Sequence, residues 1–239
     1  MGRQQQHDSN SKHSDDNIIQ TLSIDNLIFS LQDNKLKILL IKHDKGASRG
    51  QWALPGGWIR YDENLRDAAA RHLFSLTGVK DLYLEQLKTF GRVNRLPKER
   101  VVTVAYYALI RMDLYPIVAG PNAQAASWYH VKDIPTLIYD HQEIVDYALN
   151  FLRHKVRHEP IGFNLLPKKF TLLQLQSLYE AILDVKLDKP NFRRKLIKMN
   201  LLVKHDEKQV GVAHRAANLY SFDEKVYKAL MLKGFSFEL

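Results

Sequence analysis

The chain has 239 residues, 45% of them hydrophobic, enough to bury the core of one large domain or two small ones. It has no cysteine and no apolar run of membrane-spanning length, which excludes a disulfide framework, a thiolate metal site and a membrane-crossing helix. Nearly all of the net charge of +9 lies in the last third: residues 153–239 hold 17 Lys+Arg against 9 Asp+Glu while residues 1–152 hold 18 against 17, an asymmetry that points to a polyanionic partner for the C-terminal part.

Residues 1–16 are polar and aperiodic, the composition of a disordered tail rather than of a signal peptide, so a soluble cytoplasmic protein without membrane contact is expected. LSIDNLIFSL and KLKILLIKHD then read as two strands joined at Asp33-Asn34, a hairpin turn signal. Asp25 is a polar residue in an apolar strand, either a ligand contact or a satisfied structural carboxylate. KGASRGQWALPGG is a Gly-rich loop ending in a rigid Pro55-Gly56-Gly57 turn. Trp58 follows it, either as a wall for a sugar or base ring or as a core plug.

Residues 57–79 read GWIRYDENLRDAAARHLFSLTGV. Leu65, Ala68, Ala69, His72, Leu73 and Leu76 recur at helical spacing over 63–76, with Asp62 as N-cap and Gly78 as stop. The stretch resembles a Nudix box in its frame: Gly57, Glu63, Arg71, Leu73, Gly78 and Val79 fall in register. The three carboxylate positions after Arg71 carry His72, Ser75 and Leu76 instead. A hard divalent cation held against a diphosphate wants several carboxylate oxygens. Positions 72, 75 and 76 share one helix face, and an imidazole, a hydroxyl and an isobutyl group cannot build that cage. No catalytic residue, metal or cofactor is therefore expected, and the chain is read as no enzyme.

LYLEQLKTFG and VVTVAYYALIRM give further strands, separated by the charged loop RVNRLPKER with Arg92, Arg95, Glu99 and Arg100. ASWYHV is another short strand, and Asp140-His141 precedes a helix over roughly 141–157. The alternation fits the α/β/α sandwich that the Nudix resemblance implies, with a sensor domain over 17–157. HEPIGFNLLPKK, residues 158–169, reads as a connector because of its prolines and glycine.

The remainder, 170–239, begins with a helix after Thr171. A second helix in KPNFRRKLIKMN has Phe192, Leu196 and Met199 as its apolar stripe. LLVKHD and NLYSF follow as two short strands. Helix, turn, basic helix and hairpin resemble a winged helix-turn-helix, whose second helix enters the major groove of double-stranded operator DNA. Asn191 and Arg193 are placed to reach base edges. Thr171, Gln174, Lys189, Arg194, Lys195 and Lys198 join the candidate DNA contacts, with His214 and Arg215 in the hairpin loop.

A degenerate Nudix domain followed by a basic winged helix is similar to the Nudix-related transcriptional regulators of bacteria. EPIGFNLLPKKFTLLQLQSLYEAI and ERVVTVAYYALI look most like the branch that responds to L-arabinose. The resemblance implies a homodimeric repressor, released from DNA by a small effector. Arabinose would be held by Asp25, Trp58, Glu63, Asp140 and His141. ADP-ribose, the effector of another branch, would instead use Arg60, Arg71 and Arg100 on its diphosphate. The residues leave both open, and local similarity favours arabinose. An active pyrophosphohydrolase with an unusual metal site and an inactive protein-binding scaffold are the rivals from other classes.

Overall fold

In the computed structural model, residues 21–97, 99–211, 216–235 and 237 are described. The tail over 1–16, His214 and Arg215 thus lie outside the described residues. Strand β1 (Thr21–Gln32) and β2 (Lys35–His43) form the expected hairpin. Asp33 and Asn34 both take the left-handed conformation, at φ 51° and 57°. Short polar side chains tolerate it, and a two-residue turn of this hand matches the twist of the strands.

The short strand β3 (Trp52–Ala53) lies inside the stretch expected to be a loop, and β4 (Gly56–Trp58) begins in it and ends on Trp58 just beyond. Helix α1 (Leu65–Thr77) follows, then β5 (Glu85–Phe90), β6 (Val101–Leu109), β7 (Ala123–His130) and helix α2 (His141–His158). The sheet runs β3-β2-β1-β6-β5, with β4 paired to β1 and β7 to β2; β1 and β6 are parallel. The N-cap of α1 is Asn64, not Asp62, while Gly78 closes the helix in the left-handed conformation.

The two faces of the sheet follow from the period of two along a strand. Ile24 and Ile28 on β1 join Leu39, Val104 and Tyr106 in a core under α1. Leu27 and Phe29 face the other way and pack with Ile38, Ala105 and Tyr107 under α2. Asp25 shares this second face by its position. That places a buried carboxylate beside the N-terminus of α2. Asn26, on the first face, donates to the Ala69 carbonyl at 3.0 Å and fastens α1 to the sheet.

Residues 158–169 are less of a free connector than expected. They hold a 3-10 turn over Ile161–Leu165, and Leu165 and Leu166 are buried. Gly162 permits this packing, since a Cβ there would stand 3.0 Å from Leu178. Helices α3 (Leu172–Leu183) and α4 (Lys189–Lys198) follow, then the hairpin β8 (Leu202–Lys208) and β9 (Asn218–Phe222). Phe170 bridges to Tyr220 through two backbone bonds of 2.8 and 2.9 Å, which ties the start of the unit to the hairpin. A further helix, α5 (Glu224–Met231), was not anticipated. The core is continuous between the two units: Leu149, Leu152 and Val156 of α2 cluster with Leu175, Leu178, Tyr179 and Ile182 of α3.

Candidate functional site

A cavity of about 270 Å³ opens on the α2 side of the sheet. Its floor is built by Asp25 of β1 and His141 of α2, both buried, and by Arg95 from the loop between β5 and β6. Trp58, Tyr139 and the 45–48 turn surround its mouth. Trp58 lines the cavity and is 49% exposed, so it is not a core plug. His43 also lines the space; a register irregularity between Lys42 and His43 breaks the strand's alternation there.

Arg95 organises the floor. It is only 6% exposed and donates to both carboxylate oxygens of Asp140, at 2.9 and 2.8 Å. Its Nη2 also lies 3.5 Å from Asp25 Oδ2. A buried guanidinium needs such partners, because an unpaired charge out of water is strongly unfavourable. Asp25 Oδ2 accepts a further bond from Thr103 at 2.8 Å. His141 Nδ1 accepts from the Leu54 backbone N–H at 3.0 Å. Burial holds the pKa values of His141 and His43 below the ordinary imidazole value, favouring neutral rings.

Five of the expected ligand residues, Arg60, Glu63, Arg71, Arg100 and Asp140, do not line this cavity, and Arg60 is exposed with its backbone N–H donated to Glu63 at 2.8 Å. Glu63 and Arg71 are spent on each other through bonds of 2.7 and 2.5 Å. Hydrogen bonding to Arg71 pulls the Glu63 carboxyl down to about 2. Arg71 Nη2 also donates to the Trp58 carbonyl at 3.0 Å, so the pair braces the turn between β4 and α1. Arg100 is turned toward backbone carbonyls of Arg92 and Val101. Asp140 lies behind Arg95 and holds it. Asp25, Trp58 and His141 do come together. In the sequence Arg95 is one of several cations in a charged loop and carries no mark of pointing inward.

The altered face of α1 is equally definite. His72 is half-buried with Nε2 2.8 Å from the Trp58 carbonyl, and burial lowers its pKa. A Cβ on Gly57 would stand 2.4 Å from the imidazole, so glycine is needed for that close approach. Ser75 donates to the His72 carbonyl at 3.1 Å, and Leu76 is buried. These donors do not fit a hard divalent cation, and no cluster of three or more acidic, His or Cys side chains suited to a metal exists among the described residues.

The second candidate surface is α4 with the base of the hairpin. Asp188 caps α4 by accepting from the Asn191 N–H at 3.0 Å, and Pro190 pre-sets its first turn. Phe192 and Leu196 are buried, leaving Lys189, Asn191, Arg194, Lys195 and Lys198 exposed. Arg194 is hydrogen-bonded to Asn191. Arg193 is half-buried instead, in a crease with Leu173, Lys208 and Tyr220. Thr171 departs from the expected contact set: it is 2% exposed and its hydroxyl accepts from the Gln174 N–H at 3.1 Å. Gln174 completes a reciprocal capping box by accepting from the Thr171 N–H at 2.8 Å.

Residues 24–148 match the NUDIX domain, and residues 162–222 match the NrtR DNA-binding winged helix domain. The chain is 34% identical, over 84% of its length and 81% of the relative, to the ADPR responsive transcriptional repressor NtrR of Acinetobacter baylyi. It is similar in structure to Shewanella oneidensis NrtR complexed with a 27mer DNA (TM-score 0.73, 30% identity, 84% of this chain and 93% of that one). It also resembles the NUDIX domain of the Shewanella protein complexed with ADP ribose, with a TM-score of 0.53 and 31% identity over 56% of this chain and 90% of that one.

Proposed function

The chain belongs to the NrtR-type Nudix-related transcriptional regulators, and from that premise we propose that it is a repressor whose hold on operator DNA is relaxed by ADP-ribose bound in the Nudix cavity. The observation that carries this reading is the placement of α2. Its first residue, His141, borders the cavity, while its later turns share a core with α3. Arg153 of α2 also donates to the Ile182 carbonyl at the end of α3, at 3.4 Å. A ligand that favours one setting of α2 thereby favours one setting of the DNA-binding unit, which is what coupling between two sites requires.

ADP-ribose replaces the L-arabinose expected from local similarity, because the Acinetobacter relative is ADPR responsive and the Shewanella NUDIX domain has been seen with ADP ribose. The protein acts as a homodimer on a two-fold operator, in keeping with the symmetry habit of helix-turn-helix proteins. It performs no metal-dependent hydrolysis, since His72, Ser75 and Leu76 stand on the face where cation ligands are needed. The test is a duplex-binding titration on candidate operators, with ADP-ribose and L-arabinose in parallel. Release by ADP-ribose, at a coupling of roughly 1–3 kcal/mol or about one to two powers of ten in affinity, is the expected result. Release by arabinose alone would replace the effector, and Mg²⁺-dependent turnover of ADP-ribose would sink the non-catalytic reading.

A further inference from the structure

Two polar atoms meet on the cavity floor without bonding each other. Asp25 Oδ1 and His141 Nε2 are 3.6 Å apart, beyond hydrogen-bond reach, although the two side chains are only 7% and 8% exposed. The second polar atom of each is already committed: Asp25 Oδ2 to Thr103, and His141 Nδ1 to the Leu54 N–H. The Leu54 bond fixes the tautomer. A ring nitrogen that accepts carries no proton, so the neutral imidazole holds its hydrogen on Nε2. The floor therefore presents one acceptor and one donor side by side, and both residues line the cavity. A neutral oxygen that donates to the first and accepts from the second, a ligand hydroxyl or a water, fits between them.

Charge narrows the occupant. On the floor, Arg95 stands between two carboxylates, Asp140 and Asp25. The local balance is one negative charge in excess, at a place shielded from water, and a phosphate there would meet repulsion that a neutral hydroxyl does not. Cationic character lies at the mouth, where Lys45 is exposed beside Gly46.

We propose that Asp25 and His141 form a sugar-hydroxyl subsite, and that ADP-ribose enters with its terminal ribose foremost. One ribose hydroxyl donates to Asp25 Oδ1 and accepts from His141 Nε2–H, while the diphosphate stays at the mouth near Lys45. This orientation rests on the ADP-ribose reading.

Calorimetric titration of the full chain with ADP-ribose and with ADP, which lacks the terminal sugar, tests it. ADP-ribose should bind at least about 30-fold more tightly, as expected for hydrogen bonds that include a charged partner. In Asp25→Asn, the amide oxygen stays on Thr103 and the NH₂ turns to the cavity, so donor faces donor. The preference for ADP-ribose over ADP should collapse toward one. The ratio is the readout, because general damage to the fold weakens both ligands together. Equal binding of the two ligands by the unaltered protein would overturn the subsite, with water alone filling the gap, and would leave ADP-ribose as effector. If ADP-ribose does not bind at all, the effector reading falls, and free D-ribose and L-arabinose decide the subsite. A pentose that binds the unaltered protein but not Asp25→Asn keeps it, and binding of neither pentose overturns it.

Discussion

At the residue scale, the Nudix unit carries three imidazoles, His43, His72 and His141, that burial keeps neutral. Their folded pKa values lie below the 6.5 of the unfolded chain, so the unfolded state binds more protons as pH falls. Stability is fully present above about pH 6.5 and is lost progressively below it. The melting temperature at pH 5.5 should be lower than at pH 7.5, and His72→Asn should show a shallower decline. A melting curve independent of pH in both proteins would mean that these rings titrate alike in the folded and unfolded chain. Legibility at this scale was mixed for a physical reason. Asp25 stood out because a carboxylate in an apolar strand is conspicuous. Arg95 did not, because burial of one arginine in RVNRLPKER depends on Asp140, 45 positions away. Glu63 and Arg71 each read as free for a ligand, arabinose for the first and a diphosphate for the second, because sequence shows two charges but not that they neutralise each other.

At the element scale, strands β1 and β2 and helices α2 to α4 were readable, since each is long enough to display its own period. Strands β3 and β4 were not: runs of two or three residues contain no period, and their pairing partners alone make them strands. The caps of the winged helix allow a quantitative check. Thr171→Ala removes one half of the capping box and should lower stability by about 1 kcal/mol in denaturant melts, within the range for such caps. Helix α4 makes a different demand. Lys195 and Lys198 are exposed and project from its polar face, so their loss should weaken binding to all duplexes alike and reduce the salt slope by roughly 1 per phosphate contact removed. Titrations of the double alanine variant at several salt concentrations would show it. An unchanged slope would place DNA on another surface.

At the scale of the whole molecule, the shared core of α2 and α3 has a thermodynamic signature. All three tryptophans, Trp52, Trp58 and Trp128, lie in the Nudix unit, whereas helical circular dichroism reports on both units. The two probes should give coincident denaturation curves, as for a single cooperative transition. Two separated transitions would show that the common core does not bind the units together. The basic C-terminal third was legible from charge alone, but its seating on α2 was not, because an apolar helix face does not name its partner. The molecule also constrains its own descendants. His72 sits against the Trp58 carbonyl, so a glutamate there would set one oxygen against another. Leu76 is 6% exposed, so a glutamate there would bury a charge. Both of these steps back toward an acidic helix face are therefore uphill, and a metal cage begins to repay them only after both have been taken. The absence of those carboxylates is entrenched: a lineage starting from this chain can vary its ligand or its operator far more readily than it can recover a metal site.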